Sequence, residues 1–205
     1  MATVSDDFTR ADATSLGANW NTYGGQKYQI VGNQATLYAA GGGYNGVSWT
    51  ANSFTGNQFA QCTIVQLPTN DYAPGPCIRS DTDGVGNGYA ASVRSDGLIR
   101  LMRNTSTVKN SAAGAFSAGS VLRIEDQGSG AIRVYVDGAL VTSGGFSTQY
   151  TDGSPLTGGR IGMFGYAFFD GASNWIVDNW SGGDLAGGAS APLAQAQYFA
   201  RLRSG

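Results

Sequence analysis

The feature that most constrains the fold of this chain is a repeated alternation of apolar and polar residues, interrupted by Asp-Gly pairs. Clear examples of the alternation are Tyr28–Val31, Cys62–Leu67 and Ile132–Val136, and the Asp-Gly pairs stand at 83–84, 96–97, 137–138, 152–153 and 170–171. A period of two is typical of half-buried strands, and Asp-Gly between such segments indicates hairpin turns because glycine accepts positive φ. Residues 15–185 show no sustained period of 3.6. We therefore predict an all-β fold of about a dozen short antiparallel strands.

One hairpin, Tyr89–Arg103, can be given a register from its residues alone. A two-residue turn at Asp96-Gly97 would pair Val93 with Arg100 and mix apolar and charged residues on each face. A three-residue loop over 95–97 separates the two faces, and register follows the buried face. We therefore predict the pairs Val93–Ile99, Ala91–Leu101 and Ser92–Arg100. Arg94 then shares the polar face with Ser92 and Arg100, directed toward solvent or a groove.

The chain divides into one β-sandwich domain at 1–185, a linker at 186–192 and a C-terminal tail at 193–205. The linker contains only Ala, Gly, Ser and Pro, a composition typical of flexible connections. The tail keeps four large apolar side chains outside the sandwich: Leu193, Tyr198, Phe199 and Leu202. Because these side chains need a partner surface, we predict that the tail anchors the protein in an assembly. It would do so as a helix or as a strand added to a neighbouring sheet; the alternative is a tail folded back on its own domain.

Two absences and a weak charge exclude several classes of function. The chain has no His, and Glu125 is its only Glu. Ser-His-Asp and Cys-His catalysis and zinc sites of the HExxH type are therefore excluded, and acid–base chemistry would depend on Asp alone. The net charge is −2 and no basic cluster occurs, so neither nucleic acid nor an anionic membrane surface is expected as a partner. We predict a non-enzymatic protein without a cofactor.

The N-terminus bears on where the protein is made. Residues 1–7 show no basic start, apolar run or small-residue cleavage site. No stretch approaches the ~20 apolar residues of a membrane-spanning helix, so membrane insertion is not expected. We therefore expect synthesis in the cytoplasm, although a mature secreted protein with an added start Met would look the same.

Cys62 and Cys77 are the only cysteines, and they flank the turn region Pro68–Pro74. A symmetric hairpin centred on Thr69-Asn70 would place them opposite each other, which allows a cross-strand disulfide. The alternative, which we favour, is that both are buried free thiols acting as small apolar residues.

A series of short motifs occurs in a characteristic order along residues 6–185. They are Asp6–Arg10 with Leu16-Gly17 and Trp20, then Cys77–Ser80, Gly88–Ala90, Val134–Gly138, Gly159–Gly162 and Val177–Trp180. In this order they resemble concanavalin A-like lectin/glucanase domains of the laminin-G-like type. The resemblance implies a two-sheet antiparallel jelly-roll sandwich. It does not imply a function, because this fold includes lectins, hydrolases, lyases and structural modules.

The catalytic and metal-binding features of that group do not carry over to this sequence. Its glucanases share a Glu-x-Asp-x-x-Glu strand, whereas here Glu125 and Asp126 are adjacent and face opposite sides of a strand. We interpret the pair as a solvated strand end. Some members of the fold hold a structural calcium near the terminal strands, where Asp7 and Asp178 are candidates. Calcium needs six to eight oxygen ligands, so we predict no metal site and interpret residues 81–88 as a Gly-rich hairpin loop.

Six residues are candidates for glycan contact: Tyr44, Trp49, Arg79, Ser92, Arg94 and Arg100. Aromatic rings suit the apolar faces of sugars, and further aromatic candidates are Tyr72, Phe168, Phe169 and Trp175. The arginines would suit acidic glycans. The alternatives are that the aromatic residues belong to the core and that the arginines form an ordinary hydrated sheet face.

The Asp6-Asp7-Phe8 opening also resembles jelly-roll modules of tailed-phage virion proteins. We therefore predict a non-catalytic structural or binding protein on the virion surface, with host-surface glycans as the ligands considered. Its other partners would be virion proteins or copies of itself, reached through the tail. The alternative is an extracellular protein, a carbohydrate-binding module of a secreted bacterial protein.

Overall fold

In the computed structural model, which describes residues 2–23, 27–38, 43–69, 75–81, 87–167 and 176–185, the protein is built from β-strands. The strands are β1 (Thr3–Asp6), β2 (Trp20–Tyr23), β3 (Lys27–Val31), β4 (Gln34–Tyr38), β5 (Gly43–Trp49), β6 (Gln58–Gln66), β7 (Gly75–Ser80), β8 (Tyr89–Val93), β9 (Ile99–Arg103), β10 (Ser106–Asn110), β11 (Val121–Asp126), β12 (Ala131–Val136), β13 (Ala139–Leu140), β14 (Tyr150–Thr151), β15 (Arg160–Ala167) and β16 (Ile176–Asp184). A 3-10 helix, Gly144–Ser147, precedes β14. Among these residues no helix is long and apolar enough to cross a membrane. The all-β prediction is confirmed.

The strands form two antiparallel sheets that pack face to face as a jelly-roll sandwich. The nine-stranded sheet has the order β13-β12-β11-β6-β16-β4-β3, with β1 also paired to β16 and β14 to β12. The seven-stranded sheet has the order β10-β9-β8-β7-β15-β5-β2. The first and last described strands therefore lie side by side in the nine-stranded sheet, although they are far apart in sequence.

The core lies between the sheets and is filled by the inward members of each alternating strand. Three indoles, Trp20, Trp49 and Trp180, meet at one end, with the ring centroids of Trp20 and Trp180 4.6 Å apart. The Trp180 indole N–H donates to the Gly162 carbonyl of the opposite sheet at 3.1 Å. Since buried aromatic pairs contribute beyond their buried area, this cluster joins the sheets near the chain's first strand.

The β8–β9 hairpin has the predicted register. Ala91 lies opposite Leu101, Ser92 opposite Arg100, and Val93 opposite Ile99. The loop over 95–97 is closed by a hydrogen bond from the Arg94 N–H to the Leu98 carbonyl at 2.9 Å. Gly97 has a φ of 73°, a conformation that favours glycine. The separation of an apolar and a polar face therefore correctly selected the longer loop.

The two cysteines are both free and buried, and they do not face each other across a hairpin. Cys62 lies on β6 of the nine-stranded sheet, whereas Cys77 lies on β7 of the seven-stranded sheet. The segment between them crosses from one sheet to the other, so the symmetric hairpin considered from sequence is wrong. Burial raises the pKa of the Cys77 thiol to about 12, and it also raises the pKa of Cys62.

Several predictions lie outside the described residues. These are the 186–192 linker, the 193–205 tail with its four apolar side chains, most of the 81–88 loop, and the aromatic candidates at 72, 168, 169 and 175. The final described residue, Leu185, donates its backbone N–H to the Asn57 carbonyl at 2.6 Å.

Candidate functional site

The polar face of the β8–β9 hairpin brings together Ser92, Arg94 and Arg100, which we call the arginine face. It lies on the side of the seven-stranded sheet opposite the core, because Ala91 and Leu101 alternate with it and are fully buried. Arg94 and Arg100 are both partly exposed. Arg94 approaches Asp96 at 3.5 Å, with 29% and 41% of the two side chains exposed. Such a largely solvent-accessible pair contributes little to stability, and the Arg94 side chain remains partly exposed at the surface.

A small apolar cluster lies beside the arginine face, formed by Cys77, Ala90, Met102 and Phe164. Ser92 is only 6% exposed, and its hydroxyl donates to the Met102 sulfur at 3.7 Å. The Ser92 hydroxyl is therefore buried and hydrogen-bonded within the sheet. The prediction that Ser92 contacts a ligand needs correction: it supports the arginine face, and the two guanidinium groups are its accessible members.

Arg79 does not join the arginine face, contrary to the sequence prediction. It has a φ of 56° and lies at an irregularity in the β7–β15 pairing. Its Nε and Nη2 atoms lie 2.6 Å from Asp126 Oδ2, and its backbone N–H donates to Gln58 Oε1 at 2.8 Å. Asp126 belongs to the nine-stranded sheet, so Arg79 forms an ion pair between the sheets and is structural.

Trp49 is a core residue, which was the alternative considered for the aromatic candidates, and its prediction as a glycan-contact residue is wrong. Its side chain is 7% exposed and faces the core, where its ring centroid lies 5.6 Å from that of Trp180. It offers no platform to a ligand, because its large apolar surface is used in packing. Tyr44 lies on β5 opposite Tyr166 of β15, but the side chains of both lie outside the described part of the chain.

Glu125 and Asp126 face opposite sides of β11, as alternation requires, but neither is solvated. Each is 5% exposed. Glu125 Oε1 accepts a hydrogen bond from Arg123 Nε at 2.6 Å, and Asp126 pairs with Arg79. Both carboxylates are therefore held by arginine side chains on separate faces of the sheet, and the interpretation as a solvated strand end is wrong.

The structure reveals a second surface, which we call the terminal-strand groove. It has a volume of about 380 Å³ and is lined by Ser5, Asp6, Asp7, Gln61, Asn179, Trp180 and Ser181. It arises because two strands share one edge of β16: β1 pairs with residues 180–183, and β4 pairs with 176–177. Asp178 and Asn179 have no strand partner on that edge in these pairings. An irregularity in the pairing with β6, with a φ of 48° at Asn179, lies at the same place.

One carboxylate of the groove is neutralised within the fold. Asp6 Oδ1 lies 2.6 Å from Arg10 Nη1, and Asp6 Oδ2 accepts the Trp20 indole N–H at 2.7 Å. Burial would raise the pKa of Asp6, but these hydrogen bonds and the charge of Arg10 outweigh it and lower the pKa. Asp6 therefore fixes the loop after β1 and is not available for chemistry.

The carboxylates at the groove do not form the cluster that a calcium site usually requires. Burial raises the pKa of Asp178, and the nearby charge of Asp7 raises it further. Among the described residues, however, no group of three acidic, cysteine or histidine side chains is placed to hold a metal. Since calcium binding usually requires several carboxylates, Asp7 and Asp178 do not fit the structural calcium implied by the resemblance.

The terminal-strand groove was not predicted from the sequence, because its lining comes from β1, β6 and β16. No local pattern brings residues near positions 5, 61 and 180 together. Two of the motifs that carry the family resemblance, Asp6–Arg10 and Val177–Trp180, lie at this groove. The signal available in the sequence was that these two motifs stand at opposite ends of the domain, where the first and last strands pair.

Comparison with protein-family models finds no match, and comparison with curated protein sequences finds none either. Solved structures do match. The carbohydrate recognition domain of Emp47p has a TM-score of 0.58 at 11% identity, covering 90% of this chain and 95% of that chain. The VIP36 exoplasmic/lumenal domain, in a Ca²⁺/Man3GlcNAc-bound form, has a TM-score of 0.56 at 12% identity, covering 84% and 86%.

A bacterial structure is also similar. The carbohydrate binding module CBM66 from Bacillus subtilis has a TM-score of 0.53 at 17% identity, covering 78% of this chain and 91% of that chain. At these levels of identity the likeness establishes the fold. The chain has a lectin-like jelly-roll fold, as the order of its sequence motifs implied.

Proposed function

We propose that this protein is a non-catalytic carbohydrate-binding protein displayed on the virion of a tailed phage, where it contacts host-surface glycans. The observation that carries the carbohydrate-binding part is the arginine face on the outer side of the seven-stranded sheet. Two partly exposed guanidinium groups there belong to the β8–β9 hairpin, whose strands are both paired on both sides. The fold supports the same proposal, because the similar structures include carbohydrate recognition domains and a carbohydrate binding module.

The chemistry of the arginine face favours acidic glycans. Guanidinium groups donate hydrogen bonds in a planar fork that matches a carboxylate or sulfate group. Arg100 projects from β9, and Arg94 directly follows β8 where its backbone N–H is bonded to the Leu98 carbonyl, so less conformational entropy is lost when a ligand binds. We therefore expect sialylated, uronate or sulfated glycans to bind in preference to their neutral counterparts.

The test is an acidic-glycan array followed by titration with the best binder. The Arg94→Ala/Arg100→Ala variant should lose most of the affinity while its melting temperature stays within a few degrees, because exposed charges add little to stability. Arg133→Ala is a matched control, since it removes a partly exposed positive charge from the other sheet. Binding that survives the double substitution would refute the role of the arginine face, and loss of the fold would show that the arginines are structural.

The proposal that the protein is non-catalytic is supported by the placement of its two adjacent carboxylates, Glu125 and Asp126. Retaining glycosidases need two carboxyl groups about 5 Å apart in one cleft, whereas Glu125 and Asp126 lie on opposite faces of β11 and are paired with arginines. Incubation with a panel of polysaccharides should release no reducing ends above a blank. Turnover that disappears on substitution of a single Asp would refute this part.

The virion setting is supported by the Asp6-Asp7-Phe8 opening and by the apolar side chains of the 193–205 tail. Burial of Leu193, Tyr198, Phe199 and Leu202 against a partner would contribute roughly 1.5–3 kcal/mol each before ordering costs. Peptides of the protein should be found by mass spectrometry in purified phage particles, and a chain ending at Leu185 should fold but be missing from them. Normal incorporation of the shortened chain would refute the anchor.

The second candidate function is a carbohydrate-binding module of a secreted bacterial protein. The likeness to CBM66 favours it, because it spans 91% of that module. Recovery of the protein from culture medium, in the absence of particles, would favour this alternative over the virion.

A further inference from the structure

We propose a second saccharide site on the outer face of the nine-stranded sheet, where the side chains of Ser5, Ser181, Gln61, Arg123 and Tyr135 form a polar strip for a neutral, extended oligosaccharide. This site is separate from the arginine face, which lies on the other sheet. The terminal-strand groove is one end of the strip.

The strip follows from register. Ser5 lies opposite Ser181, Ser181 opposite Gln61, Gln61 opposite Arg123, and Arg123 opposite Tyr135. Directly opposed residues in neighbouring strands point to the same face. Each of the five is next in sequence to an inward residue of its own strand, so the five side chains share the outward face.

The dimensions suit a linear chain of sugars. The five strands β1, β16, β6, β11 and β12 are consecutive neighbours, and strands lie roughly 4.8 Å apart, so the strip is about 19 Å long. One hydrogen-bonding side chain is presented per strand, a spacing comparable to the length of one sugar unit in an extended oligosaccharide. The floor is recessed at Ser181, which is 8% exposed, and rises to an exposed Ser5.

The centre of the strip is held in place before any ligand arrives. Arg123 donates to Glu125 Oε1 at 2.6 Å and to Gln61 Oε1 at 2.8 Å, and its guanidinium lies 4.0 Å from the centroid of the Phe59 ring. Because the Gln61 oxygen accepts from Arg123, the amide nitrogen of Gln61 points away from Arg123. Preorganised side chains lose little entropy on binding, which favours a ligand that is bound mainly through hydrogen bonds.

The charges of the strip point to a neutral ligand. The Arg123 guanidinium is matched by the Glu125 carboxylate, and Asp6 in the groove is matched by Arg10. The exposed Asp7 at the groove end would repel an acidic sugar, while hydroxyl, amide and carboxylate groups together can bind vicinal sugar hydroxyls. The strip therefore selects the opposite class of glycan from the arginine face.

The experiment titrates the protein of residues 1–205 with linear neutral oligosaccharides of two to six sugars, built from glucose, mannose, xylose or N-acetylglucosamine, by calorimetry and by NMR of the ¹⁵N-labelled chain. At least one hexasaccharide should bind, with shifts centred on Ser181, Gln61 and Arg123, and affinity should rise with length up to about four sugars. Gln61→Ala should weaken binding about ten-fold and Tyr135→Phe about three-fold, as expected for one lost hydrogen bond. The exposed Asn110→Ala on β10, a matched control, should change nothing.

The outcomes separate this proposal from the arginine face. Loss of acidic-glycan binding in Arg94→Ala/Arg100→Ala, with hexasaccharide binding intact, supports two independent sites. Shifts confined to the arginine face, wild-type affinity in Gln61→Ala, or no binding of any hexasaccharide at millimolar concentration would overturn the strip. If Gln61→Ala fails to fold, Ser5→Trp tests the same point, because an exposed indole would block the groove end. A change of oligomeric state in these variants, without an effect on sugar binding, would show a protein interface instead.

Discussion

Replacement of Arg79 by Met should destabilise the protein by about 3 kcal/mol. The Arg79 guanidinium lies 2.6 Å from Asp126, and the two side chains are only 13% and 7% exposed. Met retains the aliphatic stem but leaves the Asp126 carboxylate between the sheets with the Gly128 N–H, at 2.7 Å, as its remaining hydrogen-bond donor. Removal of one partner from a buried ion pair costs about 3–5 kcal/mol. Because the Gly128 N–H is retained, the lower end of that range applies.

Urea denaturation followed by tryptophan fluorescence measures this effect. With a slope of about 2 kcal/mol per molar urea, the midpoint should fall by about 1.5 M. Arg79→Met/Asp126→Leu should recover much of the loss, because replacement of both partners leaves no unpaired charge in the interior. Arg133→Met, which removes a partly exposed arginine, should change stability by less than about 0.5 kcal/mol.

The result that would refute this reasoning is specific. If Arg79→Met unfolds at the wild-type midpoint and loses affinity for acidic glycans, then Arg79 is a ligand residue, as its sequence context suggested. The ion pair to Asp126 would then have no structural importance.

Three further predictions follow from local environments. Asp6→Asn should destabilise the protein at neutral pH, and its difference from wild type should disappear in acid-unfolding curves as the pH falls. The reason is that the folded-state pKa of Asp6 lies below its ordinary value of 3.8. The ionised Asp6 carboxylate therefore stabilises the fold fully above pH 3.8, and this stabilisation is lost as the pH falls through the lower, folded-state pKa. Gly162→Ala should cost about 3 kcal/mol in urea, because its Cβ would lie 1.9 Å from a β5 carbonyl, whereas Gly153→Ala, with nothing within 4 Å, should be neutral. Cys62 and Cys77 should react with a thiol reagent at pH 8 only after unfolding, since burial raises the pKa of both thiols; labelling of the native protein would contradict this.

Sequence reasoning succeeded where one strand or one hairpin contained all the information. The β8–β9 register followed from alternation, because only one pairing separates apolar from charged residues. The same reasoning should have placed Trp49 in the core, since it alternates in phase with the buried Val47. Trp49 was selected as a ligand residue because it is aromatic, although its position in the alternation already indicated an inward side chain. No long-range information was needed to avoid this error.

Arg79 shows where alternation fails for a physical reason. It is two residues from Cys77, and an unbroken strand would place both side chains on the outer face of the seven-stranded sheet. An irregularity in the pairing with β15 and a φ of 56° turn Arg79 inward to Asp126 instead. A bulge of this kind depends on how the neighbouring strand pairs, so it is not encoded in the phase of the strand itself.

The sequence by itself determined the all-β class, the antiparallel hairpins and the inward and outward phase of most strands, because each depends on residues close together in the chain. Only the tertiary structure decided which strands became neighbours. β6 and β7 are adjacent in sequence yet belong to different sheets, whereas β1 and β16 come from opposite ends and pair directly. The free energy of these pairings comes from burial of both sheet faces at once, which no local segment contains. The terminal-strand groove and the polar strip exist only because of those long-range pairings.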